Sequence, residues 1–85
     1  MSAGRKILIV EDDEDFRETL VFALSSPQRS VTPVANASDF REKSTDNYDL
    51  AIVDINLPDD SGFAVVRHLR ETSPTKIIIL SGRDT

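Results

Sequence analysis

The sequence has no cysteine or tryptophan, a single histidine, and no long hydrophobic run. The lack of cysteine excludes disulfide frameworks, thiolate nucleophiles and cysteine-based zinc sites. One histidine, His68, excludes a metal site built from several histidines of one chain. The apolar runs are too short to cross a bilayer, and the polar start MSAGRK lacks the apolar segment of a signal peptide. We therefore expect a cytoplasmic protein that makes no membrane contact.

Basic residues are also few, with 10 Lys and Arg against 15 Asp and Glu and a net charge of −5. This balance, without any block of Lys and Arg, argues against direct contact with nucleic acid. A length of 85 residues allows one small domain over residues 1–85 and excludes a two-domain enzyme. Hydrophobic residues make up only 39% of the chain, but they cluster in runs, so we expect a folded domain.

Short apolar runs rich in β-branched residues indicate the strands. Residues 7–10, 50–53 and 77–80 are unbroken by polar alternation, which is typical of strands buried on both faces of a parallel sheet. A weaker strand fits residues 30–35, and its Pro33, which has no N–H to donate, places it at an edge.

Amphipathic patterns between these runs predict helices over 14–25, 37–45 and 62–72. The inward stripes are expected to include Phe16, Leu20, Ala23 and Leu24 in the first helix, Phe40 in the second, and Phe63, Val66 and Leu69 in the third. The order βαβαβαβ predicts an α/β fold with a doubly wound parallel sheet.

Polar and acidic residues follow the strands directly. Glu11, Asp12 and Asp13 follow the first strand, Asp54 the third, and Ser81 the fourth. If the first and third strands are neighbours, Glu11, Asp12 and Asp54 converge at the carboxyl edge of the sheet. Close carboxylates repel unless a cation compensates them, and hard oxygen ligands suit Mg²⁺. A carboxylate beside Mg²⁺ can attack a phosphoryl group, and Ser81 could then donate its hydroxyl to a phosphoryl oxygen.

More ordinary explanations of these acids stay open. Acids in a first helical turn complement the macrodipole, and we interpret Asp13, Glu14 and Asp15 in this way. Asp54 ends an apolar run where an unpaired charge would be costly. From the residues alone, it fits a functional site and a loop cap equally well.

Three segments in the same order as the strands carry a resemblance to a known family. They are KILIVEDD at residues 6–13, DINLPDDSG at 54–62 and IIILSGRD at 77–84. Together they resemble the CheY-like receiver domain of bacterial two-component response regulators. The resemblance implies a flavodoxin-like fold with strand order 2-1-3-4-5. It also implies a sensor histidine kinase or phosphotransfer protein as partner, and an output domain in a longer parent chain.

The resemblance implies a role for each matching residue. Asp54 matches the phosphoacceptor, and Glu11 and Asp12 match the acidic pair that holds Mg²⁺ together with Asp54. Asn56 matches the position whose backbone carbonyl completes the metal site, and Ser81 matches the switch hydroxyl. The chemistry implied is self-phosphorylation and self-dephosphorylation rather than enzymatic turnover, and it shifts a conformational equilibrium.

The family's pattern continues past residue 85 with a helix, a strand that ends in a phosphoryl-binding lysine, and a final helix. We therefore expect this chain to be the incomplete N-terminal part of a receiver domain. The fourth strand should then be an exposed apolar edge through which the chain self-associates. The alternative function is a truncated or degenerate receiver that acts only as a protein-interaction or dimerisation module.

Other interpretations are weaker. A haloacid-dehalogenase type of phosphatase needs a second aspartate two residues after the first, where this chain has Asn56. His68 is expected on a solvated helix face. Arg17 is interpreted as a partner in a surface salt bridge, and Asp59 and Asp60 as solvated turn residues.

Overall fold

Strands and helices alternate along residues 4–43 and 47–80, the part of the chain that this computed structural model describes. The elements in chain order are β1 (Arg5–Val10), α1 (Glu14–Leu24), β2 (Arg29–Val34), α2 (Ala37–Lys43), β3 (Leu50–Asp54), α3 (Gly62–Thr72) and β4 (Lys76–Leu80). The predicted βαβαβαβ order is confirmed, and the bounds of α3 agree with the prediction. The predicted end of α2 at Thr45 lies outside the described residues.

All the strand pairs in the described sheet are parallel, and the strands lie in the order β2-β1-β3-β4. β2 is an edge strand, as predicted from its proline, and Pro33 lies opposite Ile9. Val10 is the last residue of β1 and pairs with Val53 of β3. The residues that follow these two valines therefore emerge side by side at the carboxyl edge of the sheet.

The main core covers one face of the sheet, against α2 and α3. Alternate strand residues point to the same face of a sheet, and here β1 and β3 contribute every second residue to this cluster. The predicted core position of Phe40 is confirmed, since its side chain is 1% exposed. The cluster contains Leu8, Val10, Val34, Ala37, Phe40, Tyr48, Ala51, Val53, Val65, Val66 and Leu69.

The predicted inward face of α3 is confirmed at Val66 and Leu69 but wrong at Phe63. That of α1 is wrong at Phe16, which is 41% exposed. The buried residues of α3 are Gly62, Val65, Val66 and Leu69, which are spaced i, i+3, i+4 and i+7. Phe63 lies one residue off this stripe, a rotation of about 100°, and is 53% exposed. No residue of α1 is buried, because this helix packs mainly against two strands, β1 and β2.

β4 also departs from its sequence pattern. A strand buried on both faces was expected, but Ile78 is 49% exposed and Ile79 is 41% exposed. The exposure agrees with the alternative expectation of an apolar edge, because β4 pairs only with β3 in the described sheet. Within the described residues, no helix is both long and apolar enough to span a membrane.

Candidate functional site

Three carboxylates meet where β1 and β3 end. Glu11, Asp12 and Asp54 each offer one oxygen, and these oxygens all lie within 4.8 Å of one another. Glu11 is 2% exposed and Asp54 is 5% exposed, whereas Asp12 is open to solvent. The predicted convergence of these residues is therefore confirmed, and its cause is the parallel pairing of β1 with β3.

Glu11, in the loop between β1 and α1, is held through both its backbone and its side chain. Its N–H donates to the carbonyl of Val34 at 3.0 Å, and its Oε2 accepts a hydrogen bond from the N–H of Asp13 at 3.0 Å. Asp13 is in turn the N-cap of α1, since its Oδ1 accepts from the N–H of Phe16 at 3.1 Å. The capping role predicted for Asp13 is confirmed.

The loop after β3 holds Asp54. The N–H of Asn56 donates to Asp54 Oδ1 at 3.0 Å, and the N–H of Gly62 donates to the carbonyl of Ile55 at 2.8 Å. A Cβ atom at residue 62 would lie 2.1 Å from the backbone oxygen of Asp54. The start of α3 can approach the end of β3 this closely only because residue 62 is glycine.

The site carries an excess of negative charge. Burial raises the pKa of Glu11 above its ordinary value of 4.5, and the charges of Asp54 and Asp12 raise it further. The N–H of Asp13 opposes this shift. Three oxygen donors in this arrangement fit Mg²⁺, a hard cation that is commonly held by a few carboxylates together with phosphate oxygens.

The roles assigned to two further residues of the predicted site stay predictions. Ser81 lies outside the described residues. Asn56 is exposed and its backbone N–H donates to Asp54 Oδ1, which places it beside the cluster, while metal binding by its backbone carbonyl stays a prediction.

Asp59 and Asp60 are exposed in the loop after β3, as predicted, but both side chains also contact α2, which was not predicted. The two carboxylate oxygens of Asp59 accept hydrogen bonds from the N–H groups of Ala37 at 2.9 Å and Ser38 at 3.0 Å, at the start of α2. These bonds, with that from Ala37 first, lower the pKa of Asp59 below its ordinary value of 3.8. Asp60 forms an ion pair with Arg41 at 2.6 Å. No local pattern could reveal contacts between residues about twenty positions apart.

Arg17 also differs from its predicted role. Its Nη1 donates to the carbonyl of Glu11 at 2.9 Å and to the carbonyl of Asp12 at 3.3 Å. It therefore contacts the backbone of the acidic pair rather than a surface carboxylate. The sequence places Arg17 in the first turns of α1. It does not give the direction of the side chain, because that depends on how the loop between β1 and α1 folds.

Comparisons with known proteins agree with this architecture. The sequence profile of the family described as "Response regulator receiver domain" matches residues 7–85. The transcriptional regulatory protein GltR of Pseudomonas aeruginosa is 43% identical over 72 residues, which cover 82% of this chain and 30% of GltR. The chain thus spans about a third of the length of the curated relatives that it matches.

Solved structures show the same fold. A CheY-like receiver domain from Methylobacillus flagellatus superposes with a TM-score of 0.81 at 33% identity, covering 95% of this chain and 72% of that one. The response regulator protein TrrA of Thermotoga maritima, in complex with Mg²⁺-BeF, has a TM-score of 0.78 at 30% identity, covering 94% and 71%. TrrA in complex with the histidine kinase ThkA has a TM-score of 0.81 at 31% identity, covering 95% and 72%.

Receiver domains of this kind are signalling modules of two-component systems rather than enzymes with a separate substrate. The matched residues cover nearly the whole chain, and the described residues form four strands and three helices arranged as in the CheY-like fold. The chain therefore belongs to the response regulator receiver domain family.

Proposed function

We propose that this chain accepts a phosphoryl group on Asp54 from a histidine kinase. The observation that carries the proposal is the meeting of Asp54 with Glu11 and Asp12 within 4.8 Å, at the carboxyl edge of a parallel sheet. Asp54 is buried and ends the central strand β3. A kinase as the donor is supported by the similar protein TrrA, whose structure is a complex with the histidine kinase ThkA.

The proposed transfer is a nucleophilic substitution at phosphorus. A carboxylate oxygen of Asp54 attacks the phosphorus of a phosphohistidine, and an O–P bond forms while the P–N bond breaks. The imidazole leaves with the electron pair and takes up a proton. Water later hydrolyses the aspartyl phosphate, which restores the carboxylate and releases inorganic phosphate.

Mg²⁺ is the proposed cofactor, held by Glu11, Asp12 and Asp54 with the backbone carbonyl of Asn56. The three carboxylate oxygens supply the hard donors that this ion prefers, and the similar TrrA structure contains Mg²⁺-BeF. When bound, the ion supplies positive charge that offsets the carboxylates and the transferred oxygens. We also propose that Ser81 donates its hydroxyl to a phosphoryl oxygen.

We further propose that the phosphorylated state shifts a conformational equilibrium that controls an output domain in a longer parent protein. The similar protein GltR is a transcriptional regulatory protein more than three times the length of the matched region. Any contact with nucleic acid is assigned to such an output domain and not to this segment. The cytoplasm is the proposed location.

Intact-mass spectrometry tests the phosphoacceptor. The 85-residue chain is incubated with Mg²⁺ and a small acyl phosphate beside the variant Asp54→Asn. A single phosphate adduct on the wild type alone is expected, and it should disappear when Mg²⁺ is chelated. Equal adducts on both proteins, or an adduct on neither, would contradict the assignment of Asp54.

A further inference from the structure

Arg17 connects α1 to the two loop residues that carry the acidic pair. One guanidinium nitrogen, Nη1, donates to the carbonyl oxygens of both Glu11 and Asp12, at 2.9 Å and 3.3 Å. The side chain is half-buried, so these contacts are partly protected from water. A single donor that bridges two successive carbonyls restrains the direction of both peptide units.

The two acidic residues depend on Arg17 to different degrees. Glu11 is also held by Val34 through its N–H and by Asp13 through its carboxylate. Asp12 is exposed, and among the described residues its hydrogen bond is the one that Arg17 donates to its carbonyl. Among the described side chains, Arg17 is therefore the one that restrains the backbone of Asp12.

We propose that Arg17 is a positioning residue, which holds the β1–α1 loop so that Glu11 and Asp12 face Asp54. The consequence for Mg²⁺ rests on the function proposed above. Arginine suits this role better than lysine, because its planar guanidinium keeps the two N–H bonds of Nη1 in fixed directions, whereas the ammonium of lysine rotates. Partners that orient metal ligands commonly change metal affinity about 10- to 100-fold when they are removed.

Replacing Arg17 should change Mg²⁺ affinity in opposite directions, depending on whether its charge or its positioning of the ligands matters. The guanidinium is a positive charge beside a cation site, so its removal would tighten Mg²⁺ binding if charge alone mattered. Its removal would weaken binding if Arg17 positions the ligands. The sign of the change therefore separates the two roles.

The test compares Arg17→Gln and Arg17→Lys with the control Arg67→Gln. Arg67 is an exposed residue of α3 whose side chain forms no hydrogen bond or ion pair with the described residues, so the control removes the same charge from another helix. Mg²⁺ affinity is measured by titration, followed through backbone amide shifts. We expect about tenfold weaker binding for Arg17→Gln, a smaller loss for Arg17→Lys, and less than about a twofold change for Arg67→Gln. Unchanged or tighter binding by Arg17→Gln would overturn the inference.

A second readout without metal keeps the inference distinct from the proposed function. The N–H of Asp13 donates to Glu11 Oε2, so its hydrogen exchange with solvent reports the order of the loop. Exchange at Asp13 should be faster in Arg17→Gln than in Arg67→Gln, after correction for global stability by urea unfolding. If Arg17→Gln does not fold, the same comparison is made with Arg17→Lys.

The outcomes separate the two claims. If the wild type binds no Mg²⁺ while exchange at Asp13 rises as expected, the metal part of the proposed function fails and the positioning role stands. If the wild type binds Mg²⁺ but the Arg17 variants match it in affinity and exchange, the positioning role fails alone.

Discussion

Glu11 illustrates, at the scale of a single residue, how a functional site opposes stability. It is buried beside two other carboxylates, and these surroundings raise its pKa above 4.5. The folded chain thus binds the Glu11 proton more readily than the unfolded chain does. Glu11 therefore lowers the free energy of unfolding. This loss is absent below the ordinary pKa of the carboxyl and grows as the pH rises from that value through the raised pKa of the folded state.

We predict that Glu11→Gln stabilises the metal-free protein near neutral pH. The change removes a buried charge but keeps an oxygen that can accept the N–H of Asp13. The free energy of unfolding should rise near pH 7, because the glutamine amide carries no charge to be buried beside the two aspartates. Urea unfolding near pH 7 and near pH 4 measures the effect, which should shrink at the lower pH.

Mg²⁺ supplies the internal control for this prediction. The ion should stabilise the wild type against urea by binding the folded state, and it should stabilise Glu11→Gln much less. A variant that is no more stable than the wild type near pH 7 without metal would contradict the prediction.

The hydrogen bonds of Arg17 and Asp59 could not be predicted from the sequence. The charges of Arg17 and Asp59 are visible in the sequence, but their partners are backbone groups whose positions depend on the loops. Arg17 reaches carbonyls in the preceding loop, and Asp59 reaches amides at the start of α2, 22 and 21 residues away.

At the scale of elements, Asp59 ties the loop after β3 to α2. Its pKa lies below 3.8 because it accepts bonds from Ala37 and Ser38. Its contribution to stability is present above the ordinary pKa and is lost as the pH falls through the lowered value. We predict that Asp59→Asn lowers the urea midpoint near pH 7, because an amide supplies only one acceptor oxygen for two N–H groups.

The difference between Asp59→Asn and the wild type should disappear once the pH falls below the lowered pKa. Asp60→Asn is the matched control. It removes an exposed ion pair with Arg41, which contributes about 0–1 kcal/mol. If the urea midpoints of Asp59→Asn and the wild type differ equally near pH 7 and below the lowered pKa, the charge of the carboxylate is not the cause of the difference.

The junction of β3 with α3 depends on Gly62. We predict that Gly62→Ala lowers the free energy of unfolding by about 1–3 kcal/mol, as is typical of overpacking, because the added Cβ would lie 2.1 Å from the backbone oxygen of Asp54. The same displacement should weaken Mg²⁺ binding. Denaturant unfolding and a Mg²⁺ titration measure the two effects.

Ser61→Ala is the comparison variant for Gly62→Ala. It removes the N-cap of α3, whose hydroxyl accepts from the N–H of Phe63 at 3.1 Å, at a cost of about 1 kcal/mol. This change leaves the β3–α3 approach intact, so Mg²⁺ affinity should be kept. The prediction is contradicted if Gly62→Ala loses no more stability than Ser61→Ala and binds Mg²⁺ normally. In that case the close approach of α3 to β3 does not require glycine at residue 62.

At the scale of the whole molecule, the described sheet exposes an apolar strand at one edge. β4 pairs with β3 alone in that sheet, and Ile78 is 49% exposed. An exposed apolar edge is a template for pairing with another chain. We predict that the 85-residue chain self-associates as its concentration rises, and that Ile78→Lys reduces this self-association, as measured by light scattering after size exclusion.

Phe22→Ser provides the control for β4. Phe22 on α1 is 87% exposed, so the substitution removes apolar surface away from the β4 edge. Self-association that is unaffected by Ile78→Lys, or equally reduced by Phe22→Ser, would contradict a contact specific to β4.

The sequence by itself determined the order of the elements, the parallel sheet and the edge position of β2. The meeting of Glu11, Asp12 and Asp54 needed one further condition, that β1 and β3 are neighbours, which the family resemblance implied and the structure shows. These features follow from local patterns and from a geometric rule, since neighbouring parallel strands end at the same edge. The tertiary structure decided which of the side chains predicted to face inward are covered. Phe63 is exposed because α3 turns Val65 and Val66 toward the sheet. Arg17 and Asp59 form hydrogen bonds with backbone groups because the folded loops bring those groups within reach. Proximity in the sequence does not decide these contacts.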